Sequence, residues 1–134
     1  AGVRCGVLIS SDEICQYIER VIPPYSFSTP AVNAVIESLS DDGIKESKRN
    51  IETIIEDRKW LETELESLDE VIEVFPSYTN FILVKVNDAK AFCKKSQDLG
   101  FLLRDVSYQS LLENCVRITV GTTEQNQKLI RGLK

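Results

Sequence analysis

Histidine is absent from the 134 residues, and the four cysteines, Cys5, Cys15, Cys93 and Cys115, form no CxxC pair. A zinc centre would have to replace its usual imidazole and thiolate ligands with carboxylates, so no metal site is expected. Each cysteine stands beside apolar or helical positions, which predicts reduced, partly buried thiols in a cytoplasmic protein. No apolar run approaches the roughly 20 residues that cross a bilayer. A basic-then-apolar leader is also lacking, and Ala1 reads as an interior position of something longer. Positive charge is in deficit, with 16 basic against 21 acidic side chains. That balance argues against a nucleic-acid or anionic-membrane partner, because counterion release needs a basic footprint. There is no phosphate loop, GxSxG elbow or HExxH, and no internal repeat. Acidic residues fall mostly on solvent-facing helix positions, so no catalytic carboxylate pair is read.

What remains is enough for one ordinary core. Val3 to Ile9 is a short apolar run that reads as a strand buried on both faces. Ser11 or Asp12 caps a helix carrying Ile14, Ile18 and Val21, which Pro23-Pro24 stops. The loop YSFSTP, Tyr25 to Pro30, leads into a helix to about Leu39, with Thr29 as cap and Pro30 as first helical residue. Asp41-Asp42-Gly43 reads as an interruption. From Ile44 to about Leu68 runs the strongest periodic stripe, a helix of roughly 35 Å at 1.5 Å per residue, long enough to bridge two lobes. Beyond it the spacing predicts strands over 71–75 and 81–86, a helix over 89–99 closed by Gly100, strands over 101–104 and 115–120, and a last helix over 124–133. This β-β-α-β-β-α order predicts a small α/β domain with helices on one face of the sheet.

The chemistry, if any, lies with arginine. Arg4 sits in an apolar run, Arg104 ends FLLR, and Arg117 interrupts VRITV. A guanidinium on a strand that is otherwise buried must find a partner. Two readings stand open at this level. Each arginine pairs with an internal carboxylate as a structural ion pair, or each grips the anionic group of a ligand with its planar fork.

Several segments carry a resemblance. AGVRCGVLIS is similar to the LAGLRxG stretch of the histidinol-phosphate aminotransferase family, and YSFSTP to that family's tyrosine-containing loop. PSYTNFILV, LGFLLRD and ENCVRITVGTTEQNQKLI resemble later segments in the same order, so the likeness runs over essentially the whole chain. It implies the C-terminal part of a fold-type I pyridoxal-phosphate enzyme: a remnant of the large domain over 1–43, a bridging helix over 44–69 and a small α/β domain over 70–134.

The resemblance also implies roles. Arg4 corresponds to the residue gripping the phosphate of pyridoxal 5'-phosphate. Arg117 corresponds to the clamp on a substrate carboxylate, and Arg104 to the residue near the substrate phosphate. Tyr25, with Ser28-Thr29-Pro30, falls by the active-site mouth or dimer interface, and Asn80 at the pocket rim. The lysine that holds the cofactor covalently would stand eight residues before Arg4, ahead of Ala1. No catalytic residue is therefore expected here, and these residues alone are expected to be inactive. The whole is expected to be a cytoplasmic homodimer moving an amino group between L-histidinol phosphate and 2-oxoglutarate. Alternatives are another aminotransferase or decarboxylase of this fold, or a non-enzymatic anion-binding module.

Overall fold

The computed structural model describes residues 3–134. They form two compact units, one ending at Arg49 and the other beginning at Asn50.

In the first unit the strand expected over Val3–Ile9 is not formed: residues 4–11 carry no regular structure, and Val7 and Ile9 are almost fully exposed. A strand gains its backbone bonds from neighbouring strands, and no other strand occurs among the described residues of this unit. Helix α1 spans Asp12–Glu19, with Ser11 extended at its cap and Asp12 and Glu13 in the first turn, where the helix dipole favours negative charge. Helix α2 spans Thr29–Ser38. Its cap is Ser28 rather than Thr29, one residue earlier than expected, with Pro30 in the first turn where its missing N–H costs nothing. Neither helix has a buried residue.

Helix α3 spans Asp41–Glu66 and crosses from one unit into the other. The expected interruption at Asp41-Asp42-Gly43 is in fact its first turn. Ser40 Oγ accepts the Gly43 N–H at 3.1 Å, a capping bond. Glycine is needed at 43 because a Cβ there would collide with the carbonyls of Glu37 and Ser38 at the end of α2.

The second unit is a four-stranded antiparallel sheet of β1 (Val71–Val74), β2 (Phe81–Val86), β3 (Arg104–Asp105) and β4 (Cys115–Thr119), in the order β1-β2-β4-β3. Helices α4 (Ala89–Asp98) and α5 (Thr123–Leu133) join α3 on one face, as expected. Strand alternation explains this arrangement. Ile82, Val84 and Val86 of β2 and Val116 and Ile118 of β4 are fully buried against Leu61 and Leu65 of α3, Phe92 of α4 and Leu129, Ile130 and Leu133 of α5. Each such side chain contributes roughly 1.5–3 kcal/mol.

The helix caps follow the sequence. Asp88 accepts the Ala91 N–H at 3.0 Å, and Thr122 and Gln125 form a reciprocal capping box on α5. The third strand is shorter than the expected 101–104. Gly100, at φ 90°, turns the chain out of α4, and the Phe101 N–H bonds back to the Ser96 carbonyl at 2.9 Å. Phe101 and Leu103 pack on the core as part of this helix exit, so ladder pairing starts only at Arg104.

Candidate functional site

The face of the sheet without helices is where unspent polar chemistry collects. On β2 the residues alternating with the core set are Phe81, Leu83 and Lys85, all half-buried. The register places Phe81 opposite Thr119, Leu83 opposite Arg117 and Lys85 opposite Cys115. On the other side of β4, Arg104 of β3 is the Cα partner of Arg117. Directly opposed residues of an antiparallel pair project to the same face, so the two arginine side chains leave the sheet on one face.

Like charges at such positions repel, and ordinarily an acid would be supplied between them. Among the described residues none is; ion pairs there include Lys45 with Asp42, Arg58 with Glu62, Lys94 with Asp98, Lys95 with Glu70 and Lys134 with Glu64. Arg104 and Arg117 are in none of them. The acid adjacent to Arg104, Asp105, takes the Ser107 N–H at 2.8 Å, and hydrogen bonding from Ser107 holds its carboxyl below the usual carboxylate range. The structural ion pair, one of the two readings open from the sequence, is not what these arginines make.

Arg117 instead lies over the Phe81 ring, its guanidinium carbon 5.1 Å from the ring centroid. These two residues are diagonal neighbours across β2 and β4, a relation within reach of aromatic and long side chains. Phe81 is itself held at the head of β2. Its carbonyl accepts from Ser77 Oγ at 2.5 Å and Thr79 Oγ1 at 3.1 Å, and its N–H donates to Thr79 Oγ1 at 3.3 Å. Arg58 of α3 donates from Nη1 to the Thr79 carbonyl at 3.0 Å and ties the same loop down.

Asn80 stands between that loop and β2. Its carbonyl accepts the Val120 N–H at 2.9 Å. Its exposed side chain helps line a shallow cavity of about 340 Å³ with Tyr78, Arg58 and the isoleucines Ile51, Ile54 and Ile55 of α3. Arg4 and Tyr25 belong to the first unit. Both are exposed, Tyr25 completely, and both adopt left-handed backbone, at φ 57° and 60°. Such values are uncommon for residues other than glycine. Arg4 has no ion-pair partner among the described residues. The neighbouring Cys5 and Phe27 share a cavity of about 150 Å³ over α2 with Val32 and Ile36.

Sequence reasoning missed Phe81, Ser77, Thr79 and Arg58. Nothing in the local pattern marks Phe81 as more than a strand residue, because its relation to Arg117 exists only once the β2–β4 register is known. Two thiols are perturbed: burial pushes Cys93 and Cys115 up, with the Asp105 charge adding to the effect at Cys93. No described helix is long and apolar enough to cross a membrane.

The profile of the class I and II aminotransferases matches residues 1–133. A histidinol-phosphate aminotransferase of Shigella flexneri is 38% identical over all 134 residues, and the chain spans 38% of that relative's length. The solved histidinol-phosphate aminotransferase of Clostridium acetobutylicum superposes with a TM-score of 0.78 at 25% identity, over 91% of this chain and 37% of that one. An L-threonine-O-3-phosphate decarboxylase from Porphyromonas gingivalis superposes with a TM-score of 0.69 at 26% identity, over 93% of this chain and 39% of that one.

Proposed function

We propose, from the premise that this chain belongs to the class I and II aminotransferase family, that it supplies the small domain and one end of the large domain of a histidinol-phosphate aminotransferase. The reaction is transfer of the amino group between L-histidinol phosphate and 2-oxoglutarate, which gives imidazole-acetol phosphate and glutamate in histidine biosynthesis. The observation that carries this reading is the register pair Arg104 and Arg117 on the helix-free face of the sheet, neither in an ion pair among the described residues. An enzyme taking turns with a phosphate ester and a dicarboxylate needs two anion anchors in one site, and guanidinium forks meet that need.

In this reading residues 1–43 belong to the large domain, 44–69 bridge, and 70–134 form the small domain. Arg117 clamps the glutamate carboxylate, Arg104 holds the phosphate of the amine substrate, and Asn80 and Tyr25 line the rim of the mouth. Together they fix the substrate so that its reacting bond is held in one orientation. Closure of the small domain would exclude water. Exposed apolar side chains on α1 and α2, such as Ile14, Ile18 and Ile36, support burial of that unit against further protein; the assembly proposed is a cytoplasmic homodimer.

Pyridoxal 5'-phosphate is the cofactor this family implies, and the residues present fit its phosphate end. Arg4 offers an exposed guanidinium that no carboxylate of the described residues occupies, suited to a phosphate dianion. When bound, the cofactor's ring supplies an electron sink for the substrate α-carbon. By the family resemblance the lysine that would hold it covalently stands eight residues before Arg4, and Lys45, Lys48 and Lys59, all on α3, are not proposed in its place. The 134-residue chain alone is therefore read as inactive.

The likeness to a phosphothreonine decarboxylase favours a second reading, because a carboxylate and a phosphate on one amino acid would satisfy the same two arginines. A single panel separates them. The whole enzyme is incubated with L-histidinol phosphate plus 2-oxoglutarate, and separately with O-phospho-L-threonine. Glutamate formation in the first supports the aminotransferase. Carbon dioxide release in the second, without glutamate in the first, replaces it with the decarboxylase. Turnover by the 134-residue chain alone would remove the reading of inactivity.

A further inference from the structure

We propose that Phe81 is a positioning residue for Arg117, setting the plane of its guanidinium so that the donor edge stays free for a carboxylate. This rests on the reading of Arg117 as a carboxylate clamp and deepens it.

The argument turns on how a half-buried arginine can be held still. An acidic partner would fix the guanidinium but would consume the N–H donors that a substrate needs. A ring face attracts the cation through its quadrupole and leaves those in-plane donors untouched. Among the described residues Arg117 has no ion-pair partner, and its guanidinium carbon lies 5.1 Å from the Phe81 centroid. The backbone that carries the ring is held in turn, since the Ser77 and Thr79 hydroxyls both donate to the Phe81 carbonyl and Arg58 donates to the Thr79 carbonyl. Leu83, directly opposite Arg117, is half-buried on the same face and limits the water around the stem. The chain thus runs from α3, through the 77–79 loop, to the ring and then to the fork.

The test is binding of glutarate, an unreactive dicarboxylate, to the whole enzyme by calorimetry, with thermal melts for every variant. Phe81→Leu removes the ring face and should weaken glutarate binding by about threefold to tenfold, as loss of a cation–π contact implies. Phe81→Tyr keeps the face and should bind within about twofold of the parent. Phe81→Met serves as the second non-aromatic variant if Phe81→Leu fails to fold. In an Arg117→Gln background, Phe81→Leu should add nothing. Equal weakening by Phe81→Leu and Phe81→Tyr overturns the proposal, as does no weakening by Phe81→Leu while Arg117→Gln weakens strongly. Unchanged binding in Arg117→Gln itself overturns the carboxylate reading beneath it.

Discussion

Replacing Arg104 by glutamine should stabilise the second unit, against the usual trend for substitutions. The two guanidiniums stand at Cα-paired positions with no acid between them. Taking their charges as about 7 Å apart, with an effective dielectric of 40–80 for an open face, gives a repulsion of roughly 0.6–1.2 kcal/mol. Salt at 0.1 M, with a screening length of about 10 Å, reduces this to roughly half. For a unit of this size that corresponds to a rise of about 2–4 °C in melting temperature. Circular-dichroism melts of the 134-residue chain and of Arg104→Gln, in 20 mM and 500 mM sodium chloride (both roughly spanning the screening range), measure the difference. The gain should be larger at low salt and fade at high salt. Inorganic phosphate should stabilise the parent more than the variant, because the anion relieves the repulsion. A lower melting temperature in Arg104→Gln, insensitive to salt, refutes the reasoning: Arg104 would then be serving an internal partner.

Three further outcomes follow from the packing. Leu61→Ala opens a cavity at a fully buried position and should cost about 2–5 kcal/mol in urea unfolding, whereas the exposed Leu102→Ala should cost under about 0.5. Gly100→Ala forces a Cβ into a φ of 90° and should destabilise by about 1–2 kcal/mol, with the near-isosteric Ser96→Ala as a control for the loss of a buried hydroxyl. Raised pKa values leave less thiolate at neutral pH, so Cys93 and Cys115 should react with iodoacetamide more slowly than small-molecule thiols; mass-spectrometric mapping over time reads this, and equal rates would contradict the burial assigned to them.

The second unit was largely legible because its signals are local and mutually consistent. The run of branched and aromatic residues from Phe81 to Val86 reads as a strand, and the structure makes it one, with Ile82, Val84 and Val86 on its buried face. Gly100 and Thr122 are punctuation that works within a few residues. Legibility fails where a residue's role depends on a distant partner. Val3–Ile9 has the composition of a buried strand, but composition cannot provide the neighbouring strands that such a run needs. Phe101–Leu103 looked like strand because it is apolar, yet the backbone leaving α4 claims it first. At Gly43 the glycine suggested a break, whereas the carbonyls of Glu37 and Ser38 require it inside a helix turn. The arginines stood out by themselves, since a cation in an apolar run is conspicuous. That Arg104 and Arg117 fall on neighbouring strands is already implied by the family resemblance; their direct register pairing, the lack of ion-pair partners among the described residues and the ring beneath Arg117 come only with the structure.

The most direct measurement is steady-state kinetics of the whole enzyme carrying Arg117→Gln or Arg104→Gln, with both co-substrates varied. Loss of a charge-assisted anchor should raise KM about tenfold to a hundredfold for the substrate that uses it. Arg117→Gln should do so for glutamate or 2-oxoglutarate and Arg104→Gln for L-histidinol phosphate, each leaving the other substrate within about threefold. Variants that shift neither KM, or shift both equally while lowering the melting temperature, would show that the paired guanidiniums belong to the architecture and not to the substrates.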